Sequence, residues 1–178
     1  MQRVLIAGIS GAGKTTLAIR VAAALSLPRY ELDMLHHGPN WTKRPEFEAD
    51  VARFAATDRW ICEAQYHRIL DNLLWRRADT VLWLDLPRRT VMRRVIRRSL
   101  SRAITGRELF NGNREHFRDW LEPDHPIRWA WSRHGLTSTD TSERLAAHPE
   151  IKAIRFTTAS DVRRWLADQP WARSAKRL

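Results

Sequence analysis

Five strand-like runs, at residues 3–7, 29–32, 60–62, 80–84 and 151–156, divide the chain, the first and fourth of them almost continuously apolar. Helical patterns lie between them, at 14–25, 45–56, 69–77, 87–104, 127–147 and 160–167. Strands that are apolar along their length are buried on both faces, and alternation with helices supplies the cover. The predicted fold class is therefore α/β: a five-stranded parallel sheet with helices on both faces, in a single domain spanning residues 1–178. Ligands of such sheets sit at the carboxyl ends of the strands, so chemistry-bearing residues are expected just after each run. Residues 105–126 follow neither period, and a long irregular segment in a compact domain predicts a lid. The helix over 127–147 is expected to break near Gly135, with Trp120, Trp129 and Trp131 docking it.

The first run, Val4-Leu5-Ile6-Ala7, enters Gly8-Ile9-Ser10-Gly11-Ala12-Gly13-Lys14-Thr15, which matches the pattern of a phosphate-binding P-loop. Glycines there permit the backbone to turn successive N–H groups inward around phosphate oxygens, and the helix that follows adds its positive end. Gly8, Ser10, Gly11, Ala12, Gly13, Lys14, Thr15 and Thr16 are the candidate nucleotide-binding residues. Lys14 can reach the β- and γ-phosphates of ATP, and the Thr15 hydroxyl can join Mg²⁺.

Later strand ends carry the remaining candidates. Asp33 follows the second run, where a carboxylate could accept a proton from an attacking hydroxyl or hold Mg²⁺ through water. A solvated capping aspartate is the plainer alternative. His36-His37 is not read as a metal pair, because adjacent side chains diverge and no further ligand lies at the right spacing. Glu63 ends the third run and is the best-placed acid for a metal-bound water. Asp33, His36, Trp41, Gln65 and Tyr66 are the candidate substrate-binding residues. Asp85, beside Pro87, reads as favouring a helix start. Thr157 to Asp161 reads as a helix cap and a candidate wall for a nucleobase.

In the helix over 87–104, Val91, Met92, Val95, Ile96, Leu100 and Ile104 define the expected buried face. Arg94, Arg98 and Arg102 form one stripe at its border, where guanidinium groups could bind a transferring phosphoryl; a solvated basic face is the alternative. Arg94 and Arg98 are the candidate catalytic arginines, beside Lys14 and Asp33.

Charge adds a second possibility. The 178 residues carry a formal charge of +11, and the window from Arg88 to Arg107 holds eight arginines and no acid. A phosphate-rich partner follows from that, nucleic acid included. Cys62 is the only cysteine, so there is no internal disulfide, in keeping with a reducing compartment. No apolar run approaches membrane-spanning length, and Met1-Gln2-Arg3 leads straight into a strand, so neither a membrane partner nor a signal peptide is expected, and the location is expected to be cytoplasmic. The basic tail over 173–178 is expected to fray.

The assembled motifs resemble the P-loop kinases related to adenylate kinase, and most closely the group known as DNA topology modulation proteins. The resemblance rests on Asp33-Met34-Leu35 with Pro39-Asn40-Trp41, on Arg59-Trp60-Ile61, and on the run from Ala78 to Pro87 ahead of an arginine-rich helix. It implies a five-stranded parallel sheet, a mobile lid, and contact of Arg94 and Arg98 with nucleotide phosphates. Where the group often has Asp-Gly-Asn-Tyr, this chain has Glu63-Ala64-Gln65-Tyr66. The function expected is an ATP- and Mg²⁺-dependent phosphotransferase moving the γ-phosphoryl to an unidentified acceptor; the alternative is a nucleotide-dependent nucleic-acid-binding protein or ATPase.

Overall fold

β1 (Arg3–Ala7) is the central strand of the sheet in the computed structural model, which describes residues 1–106, 108–123 and 125–171. Around it stand β2 (Arg29–Tyr30), β3 (Trp60–Glu63), β4 (Thr80–Leu84) and β5 (Lys152–Phe156), in the order β2-β3-β1-β4-β5. Every neighbouring pair is parallel. The fold class is the α/β parallel sheet that the apolar runs predict.

Alternation along the strands divides the core into two layers. Val4 and Ile6 face α1 (Lys14–Leu25), α5 (Arg88–Thr105) and α7 (Ala159–Asp168) through Leu17, Val21, Val91, Val95 and Leu166. Leu5 and Ala7 face α3 (Phe47–Ala55) and α4 (Leu73–Arg77) through Phe47, Val51, Phe54 and Trp75. Val4, Leu5 and Ile6 have no exposed surface, and burying each such side chain stabilises the fold by about 1.5–3 kcal/mol. α6 (Pro126–Ala147) touches both layers, with Ile127 and Ala130 on the first and Leu145 on the second. Among the described residues no helix is long and apolar enough to cross a membrane.

Several boundaries differ from the periodicity. The second strand ends at Tyr30, and α2 (Leu32–His36) takes over, so Asp33 stands on a helical turn rather than at a strand end. The strand over 60–62 runs on to Glu63. The fourth helix is shorter than expected because Asp71 and Asn72 adopt positive φ, 42° and 55°, just before it. α6 runs unbroken through Gly135, whose missing Cβ would face open space. The segment over 105–126 contains two short 3-10 turns, Phe110–Gly112 and Phe117–Leu121. Trp129 and Trp131 are exposed rather than docked, each beneath an arginine: Arg133 over Trp129 and Arg88 over Trp131. Arg107 and the tail over 173–178 lie outside the described residues.

The buried face of α5 is also narrower than predicted. Val91, Val95 and Ser99 are buried, whereas Ile96, Leu100 and Ile104 are exposed. The cause is the neighbour. A Cβ on Gly11 would lie 3.0 Å from both the Val91 carbonyl and the Val95 Cβ, so α5 meets the glycine loop with its slimmest row.

Candidate functional site

The loop from Gly8 to Thr15 joins β1 to α1 at the carboxyl edge of the central strand. Gly8 sits at φ 140° with Leu84 O only 2.8 Å from where a Cβ would stand, so this turn requires glycine. Gly11 and Gly13 also have positive φ. Gly13 is the N-cap of α1, and Lys14, Thr15 and Thr16 form its first turn. Ala12 is buried, Ser10 half-buried, and Thr15 and Thr16 open to the cleft.

Lys14 is 7% exposed. Its Nζ lies 3.7 Å from Glu63 Oε2, and the Thr15 hydroxyl donates to Glu63 Oε1 at 2.6 Å. The last residue of β3 thereby gathers a hydroxyl and an ammonium at the mouth of the loop. Two adjacent hard oxygens, Thr15 Oγ1 and Glu63 Oε1, fit Mg²⁺. Ala64 continues the ladder, with its N–H on Ile6 O at 2.9 Å, and it is not among the positive-φ residues. Alanine in place of glycine is therefore tolerated there without strain.

Two of the row Arg94, Arg98, Arg102 turn toward the loop. Arg94 Nη1 donates to Ala12 O at 2.9 Å and Arg98 Nη2 donates to Ser10 Oγ at 3.0 Å. Burial, then the charge of Arg102, lowers the pKa of Arg98 from its ordinary value, against the pull of Glu115, Asp33 and Glu63. Its Nε is buried without a hydrogen-bond partner among the described residues. An orphaned guanidinium N–H beside a glycine cradle fits an anionic phosphate chain. Arg102 is directed differently, 3.4 Å from the buried carboxylate of Glu115. Glu115 also pairs with His125 Nε2 at 2.9 Å, and His125 Nδ1 accepts from Ile127 N–H, so the buried imidazole caps α6.

Asp33, Tyr66 and His37 form a chain on the other side of the same cleft. Tyr66 O–H donates to Asp33 Oδ1 at 2.7 Å. The phenol has one proton, so its contact with His37 Nε2 at 3.1 Å is accepted from that ring. Burial, then the charge of Asp33 and its hydrogen bond, raises the Tyr66 pKa and keeps the phenol a donor. His36 stacks on Tyr66, ring centres 4.3 Å apart, and meets Phe47 edge-on. It supports Tyr66 from behind. Gln65 is half-buried and lines the cleft.

Trp41 is 44% exposed and stands at φ 58°. Left-handed backbone costs a non-glycine residue about 1–2 kcal/mol. The segment predicted as a lid supplies what holds it: Asn113 Oδ1 accepts from Trp41 N–H at 2.9 Å. A cleft of about 2270 Å³ runs from the glycine loop past Glu63 and Tyr66 to Trp41 and Asn113. His37, Asn113, Glu115 and His125 are the site residues that sequence reasoning misses; the His-His pair was visible, but only as a question about metal. No group of three or more His, Cys, Asp or Glu side chains suited to a metal occurs among the described residues. Asp85 is paired with Arg155, Nε to Oδ2 at 3.0 Å, away from this chemistry.

No protein-family model and no curated protein sequence matches the chain. Among solved structures it is similar to a gluconokinase from Sinorhizobium meliloti 1021, at 17% identity and a TM-score of 0.47, covering 99% of this chain and 94% of that one. A sugar kinase from Janibacter sp. HTCC2649 aligns at 20% identity and a TM-score of 0.44, over 99% of this chain and 91% of that one. Likeness at this level assigns no substrate to the chain.

Proposed function

We propose that this protein is an ATP-dependent phosphotransferase that moves the γ-phosphoryl to a hydroxyl of a small acceptor, with residues 105–126 as the lid of a single domain. The observation that carries the reading is the arrangement of the cleft. A glycine loop with Lys14, Thr15 and two arginines forms one wall, and a carboxylate fixed by Tyr66 stands on the other.

ATP would lie with its phosphates along Gly8 to Thr16, near the orphaned Arg98 Nε. Thr15 and Glu63, together with Asp33, would hold Mg²⁺, which would supply a counter-charge for the phosphates. Lys14, Arg94 and Arg98 offset the negative charge that spreads over the moving phosphoryl oxygens. Tyr66 fixes the plane of the Asp33 carboxyl by occupying Oδ1, and Oδ2 takes the acceptor proton. Catalysis is then positioning and fixed charge, with one proton held at Asp33. Trp41 and Gln65 flank the acceptor, and His36 keeps Tyr66 in place.

The test separates the two walls. Asp33→Asn should bind ATP–Mg²⁺ in calorimetric titration as the parent does, yet lose phosphoryl transfer across a panel of sugars, sugar acids, nucleosides and 5′-hydroxyl oligonucleotides. Unchanged transfer kinetics in Asp33→Asn would remove it from the proposed role.

A further inference from the structure

Two turns of the same construction meet over the acceptor side of the cleft. In the first, His37 and Lys43 pair as an antiparallel bridge. Gly38 N–H donates to Thr42 O at 2.7 Å and Thr42 N–H to Pro39 O at 3.3 Å. In the second, Glu108 and Arg114 form the bridge, Leu109 N–H donates to Asn113 O at 2.7 Å, and Asn113 N–H to Phe110 O at 3.2 Å. Even the backbone angles correspond: Asn40 and Trp41 have φ 54° and 58°, and Asn111 and Gly112 have φ 53° and 85°. Trp41 thus stands where the matching turn has glycine.

The carboxamide of Asn113 joins the two. It is 5% exposed. Oδ1 accepts from Trp41 N–H at 2.9 Å, while Nδ2 donates to Gly38 O at 2.9 Å and to Phe110 O at 2.7 Å. Asn111 adds Nδ2 contacts to Met34 O, at 3.2 Å, and to His37 O. A single group that both donates and accepts is what one side chain needs to grip an N–H and a C=O of another turn; aspartate would keep only the acceptor. The gripped turn begins at His37, whose ring holds Tyr66, which in turn holds Asp33.

We propose that Asn113 is a positioning residue. Through it the turn at 108–114 closes on the turn at 37–43, fixing Trp41 in its left-handed conformation as the acceptor wall. The meaning of that wall rests on the phosphotransferase reading; the clasp does not. The glycine loop makes no part of the clasp, so nucleotide affinity is independent of it.

Hydrogen exchange read by mass spectrometry on the full chain tests this, alone and with a non-hydrolysable ATP analogue and Mg²⁺. In Asn113→Ala the peptide covering 37–43 should exchange about tenfold faster than in the parent, as expected when buried hydrogen bonds are lost. Peptides over 8–16 should be unchanged, and affinity for the analogue should stay within about twofold. Asn111→Ala, an exposed site, should accelerate the same 37–43 peptide to a smaller extent. If 37–43 keeps its parental rate in both variants while only 108–114 accelerates, Asn113 merely stabilises its own turn and the proposal is wrong. Should Asn113→Ala fail to fold by circular dichroism, Asn113→Asp and Asn111→Ala carry the same two outcomes. Failure of the phosphotransferase reading would appear separately, as absence of transfer by the parent protein, and leaves the exchange result standing.

Discussion

Glu63 touches two neighbours that a bound nucleotide would claim, the Thr15 hydroxyl at 2.6 Å and the Lys14 ammonium at 3.7 Å. In Lys14→Ala the Glu63 carboxylate stays buried without its cation, and the loop loses its reach to the β- and γ-phosphates. We expect ATP turnover to fall by about a hundredfold or more, the range seen when a charge-stabilising donor is removed. The far-ultraviolet dichroism should stay that of the parent, and retained turnover would exclude the assignment. Asp33→Asn is expected to lower turnover by about 10²–10⁴-fold, the scale of general-base catalysis, with ATP affinity unchanged.

His36 makes a prediction of a different kind. Burial lowers its pKa from the ordinary value of 6.5, with the charges of His37 and Lys43 acting in the same direction and Asp33 opposing. The folded state therefore binds the His36 proton less readily than the unfolded state does. Its contribution is complete above the unfolded pKa, near 6.5, and is lost as pH falls from there through the lower folded value. His67, also lowered by burial and then by Arg144, adds to the same window. Thermal midpoints should fall as pH drops below about 6.5, well before the carboxylates titrate, and His36→Gln should reduce that slope. A flat midpoint between neutrality and about pH 5 would contradict it.

At the scale of elements, α5 holds the lesson on what a sequence discloses. The arginine row was legible because it depends only on spacing four apart, and two of its members do turn to the glycine loop. The buried row departs from the expected one at Ile96, Leu100 and Ile104, because helical period fixes which residues share a face but not how wide the opposing surface is. That width is set by Gly11, distant from α5 in sequence and adjacent to it in space. The rule that ligands gather at strand ends places Asp33 and Glu63 near the site; Glu63 is the last residue of β3, whereas Asp33 lies on a helical turn after β2. Asn113 and the Glu115–His125 pair lie in a segment with no period to read, and Asn113 finds its partners Trp41 and Gly38 far away in sequence, so nothing local announces them. The same geometry makes a prediction for α5: Arg98→Lys should weaken ATP-analogue binding, because an ammonium cannot replace a fork that reaches Ser10 while presenting Nε. Affinity equal to the parent's would exclude Arg98 from the phosphate site.

For the whole molecule, the question is where a charge of +11 is spent. Arg94, itself exposed, and Arg98 bond to the glycine loop and Arg102 faces Glu115, so the remaining exposed arginines of α5 among the described residues are Arg88, Arg89, Arg93 and Arg97. Duplex DNA should therefore bind weakly, at micromolar or higher dissociation constants near physiological salt, with the same salt slope whether or not ATP is present. A steep slope that changes with ATP, read by filter binding, would favour the nucleic-acid reading instead.

Phosphorus NMR of the protein with ATP, Mg²⁺ and the acceptor panel tests the central claim most directly. The expected result is loss of the γ-phosphate resonance with growth of a phosphoester signal on one acceptor class, abolished in Lys14→Ala. Growth of inorganic phosphate alone, or a phosphoester signal that persists in Lys14→Ala, would contradict it.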